Sequence, residues 1–101
     1  MSFDLRGAIE VAYKGWPISG PEERARTVRQ ITEGIVADPT LMETMVKEVK
    51  RRRGQASGNR TYIQLLDDIL GGLREAIKDR QAALHAEADD VCGKALGALS
   101  A

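Results

Sequence analysis

Cysteine occurs once in this chain, at Cys92, and histidine once, at His85. A single thiol excludes an intrachain disulfide and any thiol-only metal site. Aromatic residues are sparse as well: Phe3, Tyr13, Trp16 and Tyr62. A core must then come from Leu, Ile, Val, Met and Ala, which suits helix-on-helix packing better than a β-sandwich. Apolar runs are also short, with no window of the roughly 18 residues that a membrane helix needs. The opening Met1-Ser-Phe-Asp-Leu-Arg-Gly places Asp4 and Arg6 where a secretory signal needs an uninterrupted apolar stretch. The expectation is a cytoplasmic protein with no membrane association.

Net charge is also lacking. The 15 Lys and Arg balance the 15 Asp and Glu, in a chain that is 43% hydrophobic and 30% charged. That composition belongs to a folding chain, far from the low-hydrophobicity corner of disorder, and 101 residues suit a single domain, 1–101. The charge is unevenly placed. Residues 1–37 carry five basic and five acidic side chains, 38–60 six against three, and 61–101 four against seven. Balances of 0, +3 and −3 are compatible with intramolecular pairing, with head-to-tail association or with an oppositely charged partner.

What is present throughout is helical period. Leu5, Ala8, Ile9, Ala12 and Tyr13 form one stripe, predicting a helix over about Asp4 to Lys14. Gly15-Trp-Pro-Ile-Ser-Gly20 interrupts it, and Pro17 disfavours the α conformation at Trp16. Pro21-Glu22-Glu23 starts a second helix, with proline where no N–H donor is needed and carboxylates at the positive end of the dipole. Its stripe is Ala25, Val28, Ile31, Ile35 and Val36. Asp38-Pro39 caps and starts a third, whose stripe is Leu41, Met42, Met45, Val46 and Val49 and whose end is Lys50-Arg-Arg-Arg53. Gly54 to Asn59 is a connection.

From Thr61 the series Tyr62, Leu65, Leu66, Ile69, Leu70, Leu73, Ile77 and Leu84 runs on, and Ala88, Val91, Ala95 and Leu99 nearly keep its phase. This long C-terminal segment is one helix or two. Gly71-Gly72 and the Ala86–Asp90 stretch are the candidate breaks, and the favoured form is a long helix followed by a shorter Ala-rich one. The fold expected is an all-α bundle of four or five helices. Were the segment to project beyond the bundle, its stripe would require a second copy, giving a homodimer.

Chemistry finds little to work with. His85, Asp89 and Cys92 share a face on a continuous helix, but a zinc site needs a further ligand or an open position, and no second His or Cys exists. Cys92 reads more simply as a small buried residue. The neighbours Asp67-Asp68 and Asp89-Asp90 point about 100° apart on a helix and form no dyads. Glu87 and Asp90 suit a solvated face. No nucleophile elbow, phosphate-cradling glycine loop or HExxH is present, so no catalytic residue, cofactor or metal is assigned.

Binding is the remaining reading. Lys47, Lys50, Arg51, Arg52 and Arg53, with Arg60 nearby, form a basic cluster able to neutralise phosphates on a nucleic acid. Its place at the C-terminal end of a helix equally suits dipole compensation, and recognition helices present their N-terminal residues to bases. Trp16 is either an exposed anchor for a partner or, the favoured reading, a cap on the bundle core. Gly71-Gly72 is either a hinge or, the favoured reading, a site of close helix approach. The function expected is that of a non-enzymatic regulator, adaptor or inhibitor of the bacterial or phage kind that docks on a protein partner. Nucleic-acid binding is the alternative.

Overall fold

The computed structural model describes residues 3–84 and 86–100, with side chains described outside 81–91. They form an all-α bundle of α1 (Leu5–Gly15), a 3-10 turn (Trp16–Ile18), α2 (Pro21–Val36), α3 (Pro39–Gln55), α4 (Arg60–Leu84) and α5 (Ala86–Ser100). Among the described residues there is no strand, and no helix is long and apolar enough to cross a membrane. His85 and the side chains of Glu87, Asp89 and Asp90 lie outside the described residues, and with them the His85–Asp89–Cys92 alignment.

The helix starts are built as their sequence signals dictate. Asp4 accepts the Gly7 amide at 3.1 Å, and Asp38 accepts the Thr40 amide at 3.1 Å and its hydroxyl at 2.6 Å, ahead of Pro39. Such side-chain acceptors satisfy N–H groups that have no partner inside the helix. A further cap adds to these: Asn59 Oδ1 accepts the Tyr62 amide at 3.1 Å, and α4 starts at Arg60 rather than Thr61. The connection before it turns through Gly58, whose φ of 83° lies in the left-handed region that a side chain disfavours.

One local expectation is corrected. Trp16 sits in the α region, at φ −59° and ψ −46°, and continues directly from α1 into the 3-10 turn. Pro17 stands at the start of that turn, where a missing N–H costs nothing. The pre-proline preference is a bias, and burial of the indole outweighs it.

The C-terminal segment divides in two. Helices of 25 and 15 residues laid end to end would run about 60 Å at 1.5 Å per residue. The longest dimension of the molecule is 41 Å, so they are not collinear. α5 packs instead against α3 and α4. Gly71 and Gly72 lie within unbroken α4, which is described to Leu84, and α5 is described from Ala86, where the second candidate stretch begins. α4 is central and touches each of the other four helices. Its stripe of Leu65, Leu66, Ile69, Leu73 and Ile77 is wholly buried within one chain. The segment therefore does not project, and the condition on which a dimer through this stripe depended is not met.

The two central glycines have different surroundings. A Cβ at Gly72 would lie 3.0 Å from Thr32 Cγ2 and 3.1 Å from Val28 Cγ1, so α2 and α4 approach closely there, while a Cβ at Gly71 would meet nothing within 4 Å. Gly71→Ala is therefore expected to raise stability by about 0.5–1 kcal/mol through helix propensity alone. At Gly72 the same gain is opposed by the α2 side chains, and the larger Gly72→Val is expected to destabilise by about 1–3 kcal/mol. Thermal melts of the two series compare them directly, and equal effects at both positions would contradict the close approach.

Candidate functional site

The basic run at the end of α3 does not make one surface. Successive residues on a helix diverge by about 100°, and Lys47, Lys50 and Arg53 each find a different neighbour. Lys47 lies 3.8 Å from Glu43. Lys50 donates to the Leu99 carbonyl at 3.1 Å, tying α3 to the end of α5. Arg53 donates to Asp67 on α4 at 2.7 Å. Arg60 is exposed at the start of α4. Of the three arrangements compatible with the uneven charge, intramolecular pairing is realised at Arg53–Asp67.

Arg51 and Arg52 remain together because they share Glu48. Arg51 holds that carboxylate through Nε at 2.8 Å and an Nη at 2.6 Å, and Arg52 through Nε at 2.9 Å. Hydrogen bonding from Arg51, followed by the two positive charges, outweighs partial burial and holds the Glu48 pKa at about 2 against an ordinary 4.5. A carboxylate depressed in this way stabilises the fold above its unfolded pKa, and that contribution is lost as pH falls through the folded value. Wild-type stability is thus expected to fall between about pH 4.5 and about 2. In Glu48→Gln this part of the decline should be absent. The Glu48 side chain is 32% exposed, so screening limits the difference to about 1 kcal/mol. Urea melts of both chains across that pH range measure it, and parallel curves would remove the pairing as a source of stability.

The shared pair faces a cleft between α1 and the α3–α4 connection. One compartment, of about 610 Å³, takes Arg6 and Glu10 from α1, Arg51, Arg52 and Gln55 from α3, and Asn59 and Tyr62 beyond them. An adjoining one of about 360 Å³ shares Glu10, Arg52, Asn59 and Tyr62 and adds Ile9, Tyr13 and Lys14. Tyr13 and Tyr62 meet edge to face with ring centres 5.2 Å apart, a favourable quadrupolar arrangement. Asn59 donates to the Tyr13 hydroxyl at 2.8 Å and Arg52 to the Tyr62 hydroxyl at 3.3 Å. Sequence reasoning missed Arg6, Tyr13, Asn59 and Tyr62 as neighbours of the basic run. The one local signal was Asn59, a favoured cap residue three positions before Tyr62.

Trp16 takes the second of its two readings. It is 1% exposed, and its indole Nε1 donates to Gln64 Oε1 at 3.3 Å. The Arg24 guanidinium lies 4.9 Å from the ring centre and donates to the Trp16 carbonyl at 2.7 and 3.1 Å. An indole enclosed in this way presents no surface to a partner. Cys92 is likewise buried, at 1% exposure. Among the described residues no three of His, Cys, Asp and Glu gather in a way that holds a metal ion.

A second surface lies between α2 and α4. It is an open groove of about 650 Å³ with Ala25, Val28, Gly71, Gly72 and Ala76 among its lining residues. Glu33, Asp67, Asp68 and Asp79 line it as well, and Arg29 is the one cation among its described lining residues. Asp68 and Asp79 reach the same groove because eleven residues make just over three whole helical turns, a spacing legible in the sequence. Ala25, expected in the buried stripe of α2, is exposed and helps to form this groove. Comparison of the chain with models of known families, with curated proteins and with solved structures finds no match in any of the three, so the two surfaces are interpreted from their own residues.

Proposed function

We propose that the protein works by binding, as a cytoplasmic regulator, adaptor or inhibitor that receives a cationic, apolar-faced segment of a partner protein in the α2–α4 groove, without chemistry. The observation that carries this reading is the meeting of Glu33, Asp68 and Asp79, beside the Asp67 that Arg53 already holds and the guanidinium of Arg29, with small apolar residues in one open groove. Opposite charge along such a groove steers encounter and fixes register, while contact with the apolar lining supplies affinity. Gly71 adds to the fit, since among the described residues nothing beyond its own stretch of helix lies within 4 Å of where a Cβ would be.

Nucleic-acid binding through the end of α3 is less well supported. Lys47, Lys50 and Arg53 are drawn to separate acidic or carbonyl partners within the chain, so the run offers no continuous basic surface to a nucleic-acid backbone. An interaction of that kind would fall steeply with salt and vanish when Arg51, Arg52 and Arg53 are replaced by Ala.

The test is affinity capture from the native host with three baits: wild type, Asp68→Lys with Gly71→Phe, and Lys47→Ala. The reading requires a partner that wild type and Lys47→Ala retain and the groove variant loses, and whose binding segment is basic. Capture of the same proteins by all three baits, or of none above an unrelated helical bait, would overturn it.

A further inference from the structure

We infer that the cleft between α1 and the α3–α4 connection is a second binding site, for a small phosphomonoester carried on an aromatic body. The inference is independent of the α2–α4 groove. It rests on the kind of polar atom that the cleft offers. A guanidinium has five N–H donors; Arg51 makes three hydrogen bonds, to Glu48 and Gln55, and Arg52 makes two, to Glu48 and Tyr62. Donors beyond those bonds remain on both. The tyrosine hydroxyls act as acceptors in their bonds from Arg52 and Asn59, which leaves each phenol proton to be donated elsewhere.

Charge points the same way. Arg6, Lys14, Arg51 and Arg52 face Glu10 and Glu48 around the cleft, four positive groups against two negative. Glu48, with its pKa at about 2, stays ionised at neutral pH and compensates only one of the two guanidiniums that hold it. A phosphomonoester dianion would meet that surplus with several acceptor oxygens, and guanidinium geometry suits it. The neighbouring compartment, with Ile9 and the two tyrosine rings, offers the apolar body a place beside the anion.

Phenyl phosphate is the probe, with inorganic phosphate and phenol as its two halves. Titrations of the full chain at low salt, followed by amide NMR shifts, should show saturable changes centred on Asn59 and Tyr62 with phenyl phosphate. Each half alone should bind at least about tenfold more weakly. Tyr62→Phe keeps the ring and removes the phenol donor, and Arg51→Ala removes an exposed guanidinium; each should weaken binding by about tenfold or more, the usual worth of a charge-assisted hydrogen bond. Thermal melts establish that both variants fold, and Tyr62→Phe alone decides the matter should Arg51→Ala fail. Equal binding of phosphate and phenyl phosphate, shifts centred away from the cleft, no saturable shift, or indifference to Tyr62→Phe would each overturn the inference.

Discussion

Replacing Trp16 with alanine is expected to destabilise the protein by about 3–5 kcal/mol, the range for removing a large buried aromatic side chain. The indole is 1% exposed and its neighbourhood is built around it. Gln64 accepts its N–H at 3.3 Å, and Arg24 covers the ring while bonding the Trp16 carbonyl. Alanine would leave a cavity under the Arg24 side chain and would remove the ring that the guanidinium covers. Trp16→Phe should cost far less, about 1–2 kcal/mol, since most of the apolar volume stays and the Arg24 bonds to the backbone carbonyl are untouched. A tryptophan serving only as an exposed anchor would predict a change within about 0.5 kcal/mol for either variant. Denaturant melts with unchanged slope separate the two accounts.

The Trp16 environment also shows where sequence reasoning reaches its limit. The helical stripes are local: Ile9, Ile31, Ile35, Met42, Val46 and Val49, with Leu65, Leu66, Ile69, Leu73 and Ile77 of α4, recur at helical spacing, and these are buried. Asp38-Pro39 is local too, and it caps α3 as its chemistry requires. By contrast, Arg24 reads as a solvent-facing residue of α2, and only the packing of the 3-10 turn against α2 and α4 brings it over an indole eight residues earlier. Tyr13 and Asn59 are 46 positions apart and Lys50 and Leu99 are 49 apart; no spacing rule relates them. The basic run shows a different limit: charge summed along the chain does not describe one surface, because successive helical residues point about 100° apart. Lys50 and Arg53 are drawn to α5 and α4, which leaves on one cleft only the two that share Glu48.

Ile69→Ala is expected to cost about 2–5 kcal/mol, because a wholly buried side chain on the central helix is removed and the packed surroundings can only partly close the space. The same variant bears on how the C-terminal segment is covered. In the fold described, the α4 stripe is enclosed by the other helices of the same chain, so the loss should be the same at every protein concentration. If a second copy supplied that cover, folding would be coupled to association, and the midpoint would rise with concentration by mass action. Melts of wild type and Ile69→Ala over a hundredfold range of concentration, with sedimentation of the wild type, distinguish these cases. A large destabilisation with concentration-independent midpoints places Ile69 in an intrachain core. A concentration-dependent midpoint that Ile69→Ala abolishes would instead place the stripe in an interface and would require α5 to exchange between copies, since α5 is the element that the same segment folds back onto α3 and α4.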